Sequence, residues 1–249
     1  MKFTFKQIIE SLPKKKNSNS SLWVKLLIRK ISFPFTFLFI NLGFSANAVS
    51  CISILAAITA CACYIIPGTV TLIIAIVFVN LWLVLDCVDG NIARCKKQKT
   101  VFGEFVDDIG GYYIEALVYL AISAAAFNMG GILFNAGNVW IVIIGGVSSS
   151  INILARLIYK DYGHFAIHAD KSMQEEHTVD DKRSLYYIRN RVSKELGISG
   201  LFMPLTIICA ITKSYDLMTL FYFLFNGFAL LSTTVIYIYR ANKYDSVKK

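Results

Sequence analysis

Charge is confined to a few short stretches of this chain. No charged residue occurs from Ile31 to Leu85, from Ala116 to Ala155, or from Leu217 to Tyr239. A helix needs about 20 apolar residues to cross roughly 30 Å of hydrocarbon. The first two gaps therefore each hold two crossings or most of two. The pattern predicts spans over 46–66, 69–88, 103–127, 132–155, 196–213 and 217–239. The expected fold class is all-α: a polytopic membrane protein with six transmembrane helices and an N-terminal interfacial amphipathic helix.

The turns around 67–68 and 128–138 are short and neutral, and 213–216 carries only Lys213 and Asp216. Basic residues gather on the opposite side: Lys14, Lys15 and Lys16, then Arg94, Lys96, Lys97 and Lys99. Lys182, Arg183, Arg189, Arg191 and Lys194 join them, followed by Arg240, Lys243, Lys248 and Lys249. The positive-inside rule places that side, and both termini, in the cytoplasm of a cell membrane. Residues 1–20 read as a mobile basic tail and offer no cleavable signal peptide. Residues 21–45 read as the interfacial helix. Trp23, Leu26, Leu27 and Ile31 recur along one side, and Lys25 and Arg29 share the other. Residues 46–240 make the six-helix domain, with a polar cytoplasmic connection at 156–195, and 241–249 form a basic tail.

Composition sharpens this picture. The 249 residues are 56% hydrophobic and 16% charged, with a mean hydropathy of +0.57, whereas soluble domains carry roughly a quarter charged residues. The net charge of +9 is accounted for by topology and by attraction to anionic lipid. Nucleic acid is not an expected partner, because the basic residues are dispersed among separate loops. Of the six cysteines, Cys51, Cys61, Cys63 and Cys209 fall within spans. Cys87 and Cys95 lack the companions of a zinc site.

One stretch breaks the hydrophobic rhythm: LDCVDGNIARCKKQKTVFGEFVDDIGG, residues 85–111. Asp86 and Asp89, three apart, share a helix face at the end of the second span. Asp107 opens the third. Antiparallel helices joined by a short loop would bring the three carboxylates together around a hard divalent cation, Mg2+ or Mn2+. Without such a cation they would repel one another in a poorly solvated place. Gly90 permits close approach of a ligand, and Arg94 offers a fork suited to phosphate oxygens. Carboxylates, metal, phosphate and arginine together point to phosphoryl transfer.

These residues resemble the signature of the CDP-alcohol phosphotransferase (CDP-alcohol phosphatidyltransferase) family, D-x-x-D-G-x-x-A-R, eight residues, then G-x-x-x-D-x-x-x-D. Asp86, Asp89, Gly90, Ala93, Arg94, Gly103 and Asp107 match at the right spacing, and Gly111 stands at the place of the last aspartate. The stretch FSANAVSCIS also resembles the family's P-N-x-V-T segment, keeping Asn47 but with Ala46 for proline. The resemblance implies a divalent-metal-dependent membrane transferase of phospholipid biosynthesis. Such an enzyme moves a phospho-alcohol group from a CDP-alcohol, CDP-diacylglycerol or a small CDP-alcohol, to an acceptor hydroxyl and releases CMP. It implies Asp86, Asp89 and Asp107 as metal ligands, Gly90, Ala93 and Arg94 as holders of the CDP portion, membrane lipids as surroundings, and a homodimer.

In the family the last aspartate is the general base, and Gly111 cannot act as one. Glu115, one turn beyond on nearly the same face, is the leading substitute. Asp108 is adjacent in sequence but about 100° around the helix. Cytoplasmic His164, His168 and His177 are further candidates. An acceptor that needs little deprotonation, or a non-catalytic CDP-alcohol-binding relative that lost its base, are the other outcomes. Arg156, Arg189 and Arg191 are candidates for the acceptor, since basic residues of this region hold acceptor phosphates in relatives. A prenyltransferase would leave Gly90, Ala93 and Arg94 unexplained, and a transporter would not need metal-type acids clustered at one face.

Overall fold

The computed structural model describes residues 3–97, 100–169 and 185–247. His177, Lys182 and Arg183 lie outside the described residues, as does the side chain of His168. Two short helices, α1 (Phe5–Glu10) and α2 (Lys14–Ser18), precede a π-helical turn over Val24–Ile28 that runs into α3 (Arg29–Asn41). The long helices follow: α4 (Ala46–Ile65), α5 (Thr69–Cys95), α6 (Val101–Met129) and α7 (Val139–Ala169). After them come α8 (Leu185–Leu196), a second π-helical turn over Ile198–Phe202, α9 (Met203–Thr212) and α10 (Tyr215–Val247). Among the described residues, six segments are long and apolar enough to cross a membrane: Ala46–Ile65, Thr69–Cys95, Val101–Met129, Val139–Phe165, Arg189–Thr212 and Tyr215–Asn242. The chain is an all-α, multi-pass membrane protein.

Packing follows residue size. α4 lies against α5 and α6, α6 against α7, and α7 against α10. The buried positions on α4 include Ser53, Ala56, Ala57 and Ala60, small side chains that let helices approach closely in lipid. Exposed Leu55, Val70, Ile73, Leu224, Phe228 and Leu231 cover the outside, where a bilayer accepts them. Tyr119, Phe202 and Tyr222 form an aromatic knot between α6, the second π-turn and α10, with ring centroids 5.2–5.8 Å apart.

The N-terminal region differs from the sequence expectation. Residues 4–20 are not a free tail: Thr4 caps α1, Ile8 is fully buried, and Phe3 donates its N–H to Asn41 Oδ1 at 2.9 Å. Nor is Arg29 on a wet face. It is 6% exposed and donates to Ser20 Oγ at 2.6 Å, whereas Leu26, Leu27 and Ile31 point outward. Ser21 Oγ donates to the Ser199 carbonyl at 2.6 Å, and the Leu22 N–H to Glu195 Oε2 at 2.8 Å. These bonds pin the segment to the start of the fifth crossing.

That crossing is broken. Gly200 has φ −114° and ψ −116°, and an added Cβ would lie 2.1 Å from the Glu195 carbonyl oxygen. The chain thus kinks where a side chain would not fit, and the helix resumes as α9 with Pro204 in its first turn.

At the opposite end of the bundle, Asp216 is fully buried. It accepts the backbone N–H of Leu133 at 2.6 Å, of Phe134 at 3.2 Å and of Leu217 at 2.9 Å. One carboxylate therefore ties the α6–α7 connection to the start of α10. Asp216→Ala leaves three part-buried backbone donors without their acceptor and is expected to destabilise the fold by about 1–3 kcal/mol, read as a lower thermal midpoint of the purified protein. An unchanged midpoint would remove Asp216 from this role.

Candidate functional site

The sequence expected the second span to end near 88, but α5 continues as one helix to Cys95. Asp86, Asp89, Gly90, Ala93 and Arg94 therefore sit on regular helical turns with fixed angular relations. Positions 86, 89 and 93 make one stripe, and 83, 87, 90 and 94 its neighbour. Thr100 caps α6, accepting the Gly103 N–H at 3.0 Å. Asp107 follows two turns in.

The first stripe faces a cavity of about 580 Å³. Asp86, Asp89 and Asp107 line it together with Gly90, Ala93, Arg94 and Gly103. Asn47 and Ser50 of α4 line it too. Every residue matched to the signature before Gly111 thus meets one space, and Asn47 meets it as well. Asp89 is 6% exposed and accepts from Ser50 Oγ at 2.6 Å. Ser50 carried no sequence signal beyond its place one turn after Asn47.

The expected tight carboxylate cluster is not formed. Among the described residues, no group of three or more Asp, Glu, His or Cys side chains is gathered closely enough to hold an ion. The aspartates share the cavity without closing on one point. Their chemistry still fits a hard divalent cation. They are oxygen donors on one cavity wall, and no lysine or arginine pairs with any of them among the described residues. Arg94 bends back along α5 and donates to Asn91 Oδ1 at 2.5 Å. The amide of Asn91 in turn donates to Ser32 and Thr36 of α3.

A second cavity, about 680 Å³, opens beside the first and shares Asp86 and Asp107 with it. Asp108, Gly111, Glu115, Arg156, Lys160, Arg189 and Lys194 line it. Arg156 crosses from α7 to α6. It pairs with Glu115 at 2.7 Å and with Asp108 at 3.3 Å, and stacks over the Tyr112 ring at 4.2 Å. Lys160 holds the other oxygen of Asp108 at 2.8 Å. The guanidinium covers Gly111 so closely that a Cβ there would lie 2.6 Å from Arg156 Nη1. Space that a side chain at 111 would take is filled by an arginine. Both sequence-predicted base candidates, Glu115 and Asp108, are therefore ion-paired residues.

The remaining candidates separate. Arg189 lines the second cavity and donates to Thr233 Oγ1. Arg191 lines neither cavity. It pairs with Glu195 at 2.6 Å and reaches the Ser18 and Ser20 carbonyls at 3.5 and 3.4 Å. It belongs to the tether of the N-terminal segment. His164 is exposed and lines neither cavity. Lys160, which carries no motif signal in the sequence, is drawn into the site by its place one turn after Arg156.

No curated protein matches the chain. The sequence model of the CDP-alcohol phosphatidyltransferase family matches residues 44–212, which includes all of the first cavity's α4, α5 and α6 lining.

Proposed function

The chain belongs to the CDP-alcohol phosphatidyltransferase family, and from that premise we propose that it is an active transferase. It takes a phospho-alcohol group, phosphatidyl in the first instance, from a CDP-alcohol to an acceptor hydroxyl and releases CMP. The observation that carries this reading is the junction of two cavities at Asp86 and Asp107. A donor in the first would present its pyrophosphate to an acceptor in the second.

The roles follow from placement. Asp86, Asp89 and Asp107 would hold Mg2+ or Mn2+, whose charge offsets that of the pyrophosphate. Gly90, Ala93 and Arg94 hold the CDP portion, with Asn47 and Ser50 shaping the α4 wall. Arg156 and Arg189 orient the acceptor. The acceptor oxygen bonds to the β-phosphorus. The bond from that phosphorus to the bridging oxygen breaks, and CMP leaves with the electron pair. Glu115 takes the hydroxyl proton on the oxygen that Arg156 leaves free. The site faces the cytoplasm, where the basic segments gather.

A second reading, a CDP-alcohol-binding relative without turnover, is favoured by one observation: Glu115 and Asp108 are both held in ion pairs. CMP release by purified protein with Mg2+ or Mn2+, across CDP-alcohols and an acceptor panel, separates the two. Release supports the transferase. Metal-dependent CDP binding without release under any acceptor supports the binder. Glu115→Gln keeps a hydrogen-bond partner for Arg156 but removes the base, so turnover is expected to fall by about 10²–10⁴-fold. Untouched turnover would take the proton-accepting role away from Glu115.

A further inference from the structure

An asparagine interrupts an apolar face of α5. Val84, Val88 and Asn91 recur at four- and three-residue spacing along that helix, and all three are buried. A leucine at 91 would continue the apolar run, whereas a buried amide costs free energy unless its groups find partners. Asn91 is 1% exposed, and both halves of its amide are in use.

Its Nδ2 donates across to α3, to Ser32 Oγ at 3.3 Å and to Thr36 Oγ1 at 3.0 Å. Those two hydroxyls spend their own protons within α3. Ser32 donates to the Arg29 carbonyl at 2.9 Å, and Thr36 to the Ser32 carbonyl at 2.7 Å. Each is left with lone pairs alone, so the wall of α3 accepts an N–H and has none to give. That accounting orients the amide, with Oδ1 turned to Arg94, whose Nη2 donates to it at 2.5 Å. The guanidinium lies over Gly90, where an added Cβ would come within 3.1 Å of Nη1. An arginine has many rotamers, and a ligand that must order one loses affinity in doing so. Here two buried hydroxyls set an amide, and the amide sets the guanidinium on the wall of the first cavity.

We propose that Asn91 is a positioning residue for the CDP-alcohol: it acts through Arg94 and carries the placement of α3 to the group that holds the CDP portion. The inference rests on the donor-site reading above. It extends that reading to Asn91, Ser32 and Thr36, none of which lines the first cavity.

Full-length protein in neutral detergent, titrated with CDP in the presence of Mn2+ and followed by calorimetry, tests this. The set is wild type, Asn91→Leu, Thr36→Val, Arg94→Gln, and each of the first two variants combined with Arg94→Gln. Asn91→Leu is expected to weaken CDP binding about tenfold, the scale of one long side chain left for the ligand to order. Thr36→Val removes one of the two α3 acceptors, with an expected loss of about threefold. It keeps the shape of the side chain, so it serves should Asn91→Leu fail to assemble. On the Arg94→Gln background both losses should vanish, because the group they place is gone. A lowered thermal midpoint with unchanged CDP affinity would make Asn91 a packing residue only. Losses that persist in full beside Arg94→Gln would show that it does not act through Arg94. Tighter binding in Asn91→Leu would mean that the amide withholds the guanidinium from the ligand. Each of these three results overturns the inference. CDP binding that follows the expected pattern without CMP release overturns the transferase alone, and CMP release with CDP affinity equal in all the Asn91 and Thr36 variants overturns this inference alone. Wild type that binds no CDP removes the donor site and the inference together.

Discussion

Asp89→Asn is expected to lower CMP release by about 10³-fold, the loss seen when one preorganised electrostatic contact to a developing charge is removed. Asp89 is the most buried of the three aspartates, and it is fixed by Ser50 Oγ at 2.6 Å on the shared wall of α4 and α5. Asparagine keeps the size and the hydrogen bond but removes the charge that a divalent ion needs. The fold should survive, because burying a neutral amide that stays hydrogen-bonded costs less than burying a charge. Folded protein with lost turnover is therefore the expected pair of results. Asp89→Asn protein that releases CMP at the wild-type rate would remove Asp89 from the reaction.

Arg156→Ala is expected to raise the acceptor KM by about 10- to 100-fold, the range for a hydrogen bond to a charged group, while the donor KM stays near wild type. Arg156 reaches two acids from α7 and fills the space over Gly111. Lys160 still neutralises Asp108 in the variant, so the unpaired charge falls on Glu115. The pair is about a quarter exposed on each side, so the stability cost is about 1–2 kcal/mol rather than the larger figure for a fully buried pair. Arg156→Lys retains one contact but cannot bridge both carboxylates, and its KM should fall between the two. An acceptor KM that does not move in either variant would make Arg156 a structural clasp and nothing more.

The six crossings were legible because the bilayer demands uninterrupted apolar length, and the charge-free stretches from Ile31 to Leu85 and Ala116 to Ala155 report that demand directly. The residues of the first cavity were legible because they recur within about twenty positions on two consecutive helices, where spacing converts into facing. What was not legible depended on distant partners. Arg156 meets Gly111 and Glu115 across a separation that hydropathy does not encode, so an apparent loss at 111 turned out to be space for a guanidinium. The amphipathic pattern at 22–31 assigned Arg29 to water, because a buried cation becomes tolerable only once Ser20 and α5 are brought beside it. The backbone break at Gly200 lay inside an apolar run whose hydropathy is the same whether the helix continues or not.

Mn2+ binding followed by electron paramagnetic resonance, on purified wild type and on Asp86→Asn, Asp89→Asn and Asp107→Asn, bears most directly on the role of the α5–α6 aspartates. Wild type should take up Mn2+ more tightly when CDP is present, and each aspartate variant should lose that enhancement. Uptake that is indifferent to CDP, or the same in wild type and all three variants, would mean that these aspartates do not form the donor site.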